Sequence, residues 1–206
     1  MTWRFLIFFL LVTGAAVGIE LGDLNFAMTE LGWWLVAFLV IAYVLLIEGR
    51  DLHSIGLKAV SFETFWVAGL GLALATVLVG ISVSIGQFGG LDFSGSQSAL
   101  AETATVSPWL LAPFLLRAAG VEELLFRGFL ISRGIEMKIR PMQMVVISTA
   151  VFVAPHAIFW PGPHLLLVTS AGLAFGLIFI WKKDLSACIL AHIGFNVVGI
   201  AMAALQ

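Results

Sequence analysis

Seven apolar stretches, each about as long as a membrane-spanning helix, constrain the fold of this chain more than any other feature. A helix needs about 20 residues to cross the hydrocarbon core of a bilayer, because each residue adds about 1.5 Å. Charged residues make up only 11% of the 206 residues, too few to cover the surface of a soluble protein of this length. The predicted spans are residues 3–19, 31–47, 64–85, 108–131, 142–159, 164–181 and 185–205. The sequence therefore predicts an all-α, polytopic integral membrane protein with about seven transmembrane helices.

The basic residues between the spans, or at their ends, indicate how the chain is inserted in the membrane. If the N-terminus lies in the cytoplasm, all of them fall on the cytoplasmic side, as the positive-inside rule requires. They are Arg4, Arg50, Lys58, Arg133, Lys138, Arg140, Lys182 and Lys183. The charged residues on the opposite side are all acidic: Glu20, Asp23, Glu30, Asp92 and Glu102. This distribution predicts a cytoplasmic N-terminus and an external C-terminus.

A signal peptide is the alternative interpretation of the first span. Arg4 would precede its apolar core, and Gly14 to Ala16 would form the cleavage region. The apolar run is long for a signal peptide, which favours a retained helix.

The connections between the spans predict little further structure. Residues 87–107 are rich in Gly and Ser and predict a flexible external loop, whereas residues 48–62 predict a cytoplasmic connection with a short surface helix. His53 and His164 lie in predicted connections and are expected to be solvated. No internal repeat or separate soluble domain is visible, so residues 1–206 are expected to form a single membrane domain.

The fourth span carries two adjacent carboxylates, Glu122 and Glu123, and a cation four residues later, Arg127. An ionisable side chain at membrane depth is costly, so such a residue marks a functional site by default. On a helix, Glu123 and Arg127 share a face, while Glu122 is rotated from that face by about 100°. Arg127 can therefore keep one carboxylate charged inside the membrane. Arg117, earlier in the span, is expected to pair with a carboxylate or a backbone carbonyl, or to reach a water-filled opening.

Two other spans carry polar side chains at helical spacing. Phe152 and His156 are four residues apart in the fifth span. His192 and Asn196 are four residues apart in the seventh, so each pair lies on one helix face. Counted from the cytoplasmic ends at 1.5 Å per residue, Glu122 lies about 15 Å deep, His192 about 12 Å, Asn196 about 18 Å and His156 about 20 Å. The four polar groups share one depth and are predicted to line an intramembrane polar cavity.

These residue types suggest hydrolysis without a covalent intermediate. A carboxylate near an imidazole can hold and deprotonate a water, which assigns this step to Glu122 with His156. An imidazole and a carboxamide on one helix face can donate hydrogen bonds to a developing oxyanion, which assigns that step to His192 and Asn196. The remaining charged pair of the fourth span would support these groups.

Each of these residues also has a structural interpretation. Glu123 and Arg127 can form a pair that neutralises itself, and Asn196 can hold two helices together through hydrogen bonds. Each histidine can be a hydrogen-bonding residue between helices. Phe152 is expected to pack, as a wall of the cavity. The shared depth of the four polar groups is what favours the functional interpretation.

The order and spacing of three motifs resemble the CPBP family, which includes type II CAAX prenyl endopeptidases, bacteriocin-processing proteins and abortive-infection proteins. The motifs are Glu122-Glu123-x-x-x-Arg127, Phe152-x-x-x-His156 and His192-x-x-x-Asn196. No position in them departs from the family pattern. The resemblance begins near residue 108, so residues 108–206 are interpreted as the catalytic core and residues 1–107 as N-terminal helices with no assigned role.

This resemblance implies an intramembrane glutamate protease with a cavity open to the cytoplasmic leaflet, and it implies the same residue roles as those assigned above. It implies no cofactor, no metal and no nucleic-acid partner. The implied partners are the lipid bilayer and a membrane-associated peptide or protein substrate, either prenylated, as in eukaryotic relatives, or not. The compact chain is similar to bacterial and archaeal members, which implies a prokaryotic plasma membrane.

Three other functions fit the same residues. A zinc metalloprotease would use His156, His192 and a glutamate as ligands, although no His-Glu-x-x-His motif is present and Asn196 is a poor zinc ligand. A catalytically silent scaffold or partner-binding protein would use the polar cluster to lock helices together. A small transporter would carry protons or cations on its carboxylates, although no repeat symmetry is visible.

Overall fold

A computed structural model describes residues 2–22 and 24–205, so Asp23, predicted on the external side, lies outside the described residues. Within these ranges the chain is helical and contains no β-strand, which confirms the predicted all-α fold. The helices are α1 (Thr2–Leu21), α2 (Phe26–Ala42), α3 (Phe62–Phe88), α4 (Ser94–Ala104), α5 (Pro108–Glu123), α6 (Ser132–Glu136), α7 (Pro141–Phe159), α8 (His164–Lys182) and α9 (Leu185–Ala204). A π-helical turn, Tyr43–Ile47, continues α2, and a 3-10 helix, Leu52–Ile55, follows it. A second π-helical stretch, Leu124–Ile131, connects α5 to α6 and is called the π segment below.

Six helical stretches in the described ranges are long and apolar enough to cross a membrane. They are Arg4–Leu21, Phe26–Ile47, Phe62–Phe88, Pro141–Phe159, His164–Lys182 and Leu185–Ala204. They correspond to six of the seven predicted spans. Large apolar side chains such as Leu11 and Phe38 are exposed on them, at 68% and 64%, as expected for surfaces that face lipid. The prediction of a polytopic integral membrane protein is confirmed.

The remaining predicted span, residues 108–131, is helical throughout as α5 and the π segment, but it is not among these six. Its four charged residues make it too polar to count as an apolar helix: Arg117, Glu122, Glu123 and Arg127. Three of these four side chains are buried. Six of the seven predicted spans therefore correspond to helices that are apolar enough to cross a membrane, and the span at residues 108–131 stays a prediction.

The π segment lies at the centre of the helices. All eight of its residues are buried, and it packs against α2, α5, α7, α8 and α9. The rings of Phe5 and Phe8 in α1 meet the ring of Phe129 edge-on, with centroids 5.2 and 5.8 Å away. The stretch that follows the two adjacent carboxylates is thus enclosed by helices from both halves of the chain.

The prediction of a flexible loop at residues 87–107 is wrong in one respect. This segment contains α4, which packs against α9. The Asp92 carboxylate accepts hydrogen bonds from the backbone N–H and the hydroxyl of Ser94, both at 2.8 Å. The same two bonds hold the pKa of Asp92 below its usual value. Gly and Ser content concealed a helix whose first residue is bound by Asp92 and which tertiary contact with α9 stabilises.

The connection at residues 48–62 contains the predicted short helix, which exposes His53, as predicted, and packs its other end into the protein. Ile55 is fully buried, and the carbonyl of Gly56 accepts a hydrogen bond from the Leu185 backbone N–H at 2.8 Å. Gly56 has a φ of 80°, and a Cβ there would lie 2.8 Å from the Phe179 ring, so the turn requires glycine. The Ile55 carbonyl would lie 3.1 Å from a Cβ at Gly128, so this connection closes the bundle against the π segment.

Candidate active site

Glu123, the last residue of α5, is the centre of a buried polar cluster. Its side chain is fully buried, and its Oε1 accepts hydrogen bonds from Arg127 Nη1 at 3.0 Å and from His192 Nδ1 at 2.9 Å. The first bond is the i, i+4 pair that the spacing predicted. The second joins α5 to α9. A buried carboxylate is tolerated here because a guanidinium and an imidazole both donate to it.

Arg127 connects this carboxylate to α7 and α8. Its Nη2 donates to the carbonyl of Gly172 at 3.2 Å, and its guanidinium lies over the ring of Phe152, 4.5 Å from the centroid. The predicted wall residue therefore also stabilises the cation through its π face. A Cβ at Gly172 would lie 3.0 Å from Thr149 Cγ2 and 3.5 Å from Arg127 Nη2, so the absence of a side chain lets α7 and α8 approach the guanidinium.

His192 is buried and held in one orientation. Its ring stacks on Phe175 with centroids 5.1 Å apart, and its Nδ1 lies against the Glu123 carboxylate. An ionised carboxylate only accepts hydrogen bonds, so Nδ1 carries a hydrogen. The other ring nitrogen, Nε2, lies 3.8 Å from Glu122 Oε2. His192 therefore stands between the two adjacent carboxylates.

Glu122 and Glu123 have very different surroundings. The Glu122 side chain is 20% exposed and contacts His192 only at 3.8 Å, whereas the Glu123 side chain is fully buried and carries two strong donors. The helical rotation between neighbours causes the difference, because it directs Glu123 toward α8 and α9 and leaves Glu122 facing space that a water can enter. Glu122 is the accessible carboxylate of the pair.

His156 lies one turn beyond Phe152 on α7 and is partly exposed. Its Nδ1 lies 2.8 Å from the Phe152 carbonyl, and its ring meets the Phe152 ring at 4.8 Å between centroids. Because a carbonyl only accepts, Nδ1 carries the hydrogen and Nε2 has a free lone pair. Among the described residues, His156 makes no direct ion pair with Glu122 or Glu123.

Asn196 is partly exposed on α9, one turn after His192. The described side chains make no hydrogen bond to its carboxamide. The structure thus brings Glu122, Glu123, Arg127, Phe152 and His192 into one cluster. His156 joins that cluster through Phe152, and the carboxamide of Asn196 stays outside its hydrogen bonds.

The structure corrects the prediction for His164 and identifies the partner of Arg117. His164 was predicted to be solvated, but it is 9% exposed, begins α8 and stacks on Trp160 with centroids 3.9 Å apart. Arg117 pairs with a carboxylate, one of its three expected partners: its Nε and Nη2 donate to Glu30 at 3.1 and 2.8 Å, and it lies over the Trp33 ring. Periodicity indicated neither partner, because Glu30 lies on another helix and Trp160 is separated from His164 by the turn at residues 161–163.

The sequence did not indicate that Phe175 and Gly172 contact the site. Gly172 and Gly176 have the small-residue spacing of close helix packing, which was a usable signal for an α7–α8 contact. In residues 2–22 and 24–205, no three His, Cys, Asp or Glu side chains are grouped as metal ligands.

The fold and this cluster together define a class: a polytopic helical membrane protein with a carboxylate, arginine and imidazole site buried among its helices. Residues 104–198 match the family described as type II CAAX prenyl endopeptidase Rce1-like, in agreement with the resemblance of the three motifs. The segment contains all three motifs. No curated protein and no solved structure matches the chain. The match supports, at the level of the family, a CAAX-protease-like intramembrane protease, which is a hydrolase that acts on peptides in a membrane.

Proposed function

We propose that this protein hydrolyses a peptide bond within the membrane by means of a water that Glu122 activates. The observation that carries this proposal is the unequal environment of the two carboxylates. Glu123 is bound by Arg127 and His192, whereas the side chain of Glu122 is 20% exposed and has no cation within hydrogen-bonding distance among the described residues. A general base must reach its water and must not already be neutralised by a guanidinium. Only Glu122 of the pair meets both conditions.

The first step is proton transfer from the water to Glu122 as the water oxygen attacks the peptide carbonyl carbon. His156 helps to hold this water through Nε2, whose lone pair is free because Nδ1 faces the Phe152 carbonyl. Collapse of the tetrahedral intermediate breaks the C–N bond, and the proton on Glu122 passes to the leaving amine. The products are two shorter peptides, and the enzyme returns to its starting state.

The developing oxyanion is stabilised by His192 and Asn196. The cluster contains two carboxylates and one guanidinium. When both ring nitrogens of His192 carry a proton, the positive imidazolium makes the net charge of the cluster zero. In that form Nδ1 donates to Glu123, and Nε2 can donate to the oxyanion. The amide of Asn196, one turn along α9, is the second donor. Glu123 and Arg127 keep the imidazole in this orientation, and Phe152 shields the guanidinium.

The substrate is a membrane-associated peptide or protein, prenylated or not, and the N-terminus faces the cytoplasm of a prokaryotic cell. Contacts at one end of the bundle support a shared side for three segments predicted to be cytoplasmic, and the basic residues in these segments assign that side to the cytoplasm. Arg50 pairs with Glu136 at 2.7 Å, and Lys58 Nζ donates to the Lys182 carbonyl at 3.0 Å. Reporter domains fused to each end test it: a cytoplasmic signal at the C-terminus contradicts the proposal.

Cleavage of a peptide library that includes prenylated peptides, by detergent-purified wild type and by Glu122→Gln, tests the proposed function. Glu122→Gln keeps the shape of the side chain but removes the base, so we expect cleavage to fall by about 10²- to 10⁴-fold at an unchanged melting temperature. Glu102→Gln, which changes an exposed carboxylate in α4, is the matched control and should cleave like wild type.

Two results would contradict the proposal. If Glu122→Gln cleaves as fast as wild type, the base is another residue. If Glu122→Gln mainly lowers the yield of folded protein and wild type cleaves nothing across broad libraries, the cluster acts as a scaffold that locks the helices together.

A further inference from the structure

The π segment, which follows Glu123 directly, is held by a hydrogen bond from another helix. A π-helical stretch interrupts the regular i to i−4 ladder, and buried carbonyls at such an interruption need other donors. Ser148 on α7 supplies one: its hydroxyl donates to the carbonyl of Phe126 at 2.8 Å. Both residues are buried, Ser148 at 1% exposure.

This bond joins the two helices that carry the base and its partner imidazole. Ser148, Phe152 and His156 are spaced four residues apart, so they follow one face of α7. Next to the bond, the ring of Phe126 meets the ring of Phe152 edge-on, with centroids 5.2 Å apart. Among the described residues, the Ser148 bond is the one hydrogen bond between residues 108–131 and α7.

We propose that Ser148 is a positioning residue for hydrolysis, because its bond to the π segment sets the distance between Glu122 and His156. This inference rests on the proposed function, in which both groups must reach the same water. An error of about 1 Å in such a geometry is enough to cost about 100-fold in rate. Ser148 itself touches neither substrate nor water in the reaction.

The test compares Ser148→Ala with Ser82→Ala in the cleavage assay. Ser82 of α3 is the matched control, since it makes an interhelical hydroxyl bond of similar length, 2.7 Å to Ser170 of α8, and α3 carries none of the proposed catalytic residues. We expect Ser148→Ala to lower kcat by about 10- to 100-fold with KM changed less than about twofold, and Ser82→Ala to keep the wild-type kcat. If Ser148→Ala yields no folded protein, Ser148→Cys, a weaker donor of similar size, should give an intermediate kcat. The inference would be overturned if Ser148→Ala had the same kcat as Ser82→Ala. Where only Ser148→Cys folds, the same comparison is made with Ser148→Cys.

A second measurement does not depend on activity. The protein contains four histidines, so 15N-labelled histidine gives a simple spectrum in which His192 reports its bond to Glu123. We expect Ser148→Ala to shift the His192 and His156 signals and Ser82→Ala to leave them in place. Unshifted signals in Ser148→Ala would overturn the inference even in an active enzyme. The converse outcome is that wild type lacks Glu122-dependent cleavage while Ser148→Ala still shifts both histidine signals. That result would overturn the proposed function and leave the effect of Ser148 on the geometry of the site in place.

Discussion

Two atoms of the Glu123–Arg127 pair have no partner among the described residues. Glu123 Oε2 and Arg127 Nε are both buried and make no hydrogen bond there, although Oε1 and the terminal nitrogens are bonded. A buried polar atom without a partner costs about 1–3 kcal/mol. The cluster therefore retains charges at a cost in stability, as expected where orientation of His192 matters more than stability.

Removal of one member of this pair should destabilise the protein more than removal of both. Arg127→Met leaves the buried Glu123 carboxylate without its guanidinium and with His192 as its one remaining donor among the described residues, and we expect it to lower the free energy of unfolding by about 3–5 kcal/mol. Glu123→Gln combined with Arg127→Met removes both charges and should recover part of that loss. Denaturant unfolding in one detergent measures the difference, with Glu102→Gln as an exposed control. A double variant that is at least as unstable as Arg127→Met alone would contradict this prediction.

At the scale of elements, the close approach of α7 and α8 determines where Arg127 and Phe152 lie. The approach depends on two glycines of α8. A Cβ at Gly172 would lie 3.0 Å from Thr149 Cγ2, and a Cβ at Gly176 would lie 2.9 Å from Val145 Cγ1. Small residues at this spacing let helix backbones pack closely inside a membrane.

Gly172→Ala is expected to push α8 away from α7 and to destabilise the protein by about 1–3 kcal/mol, because the added methyl group overpacks the contact. Gly199→Ala in α9 is the matched control, since nothing lies within 4 Å of a Cβ there. Because alanine has a higher helix propensity than glycine, Gly199→Ala should leave stability unchanged or raise it slightly. Melting temperatures of the two variants decide the matter, and equal values would show that α8 tolerates the methyl group.

At the scale of the whole molecule, α1–α3 pack against the segment that matches the family. Helix α3 packs against α8 and α9, and Arg117 of α5 binds Glu30 of α2 in a buried, bidentate pair. The hydroxyl of Ser186 donates to the Lys58 carbonyl at 2.9 Å, which ties the start of α9 to the connection before α3. The division into residues 108–206 and 1–107 stays a prediction about function, but the two parts share one packed interior.

We therefore expect the C-terminal part not to fold alone. A chain cut in the turn after α3 gives two fragments, residues 1–90 and 91–206. Expressed alone, the second fragment should lack a cooperative melting transition, because the faces of α8 and α9 that pack on α3 would be exposed. Co-expression of both fragments should restore the transition. Size-exclusion chromatography and thermal unfolding in detergent measure both outcomes, and a folded lone fragment would show that residues 91–206 are an independent unit.

What the sequence by itself determined is local. The approximate positions of the apolar helices follow from the length of chain that a bilayer requires, although α2 begins at Phe26, before the predicted residue 31. Residues on one helix face follow from the pitch of the helix. For this reason the spans, the Glu123–Arg127 pair and the shared faces of Phe152 with His156 and of His192 with Asn196 could be predicted without coordinates. The motifs also carried the resemblance to the family.

What only the tertiary structure decided depends on contacts between distant segments. The Glu123 bond to His192 and the Ser148 bond to Phe126 cross between helices, and so does the packing of α4 on α9. Spacing along one helix states which residues share a face, but not which neighbour that face meets or at what distance. Those distances depend on helix crossing angles and on small residues at the contacts, and they are set only when the whole chain packs.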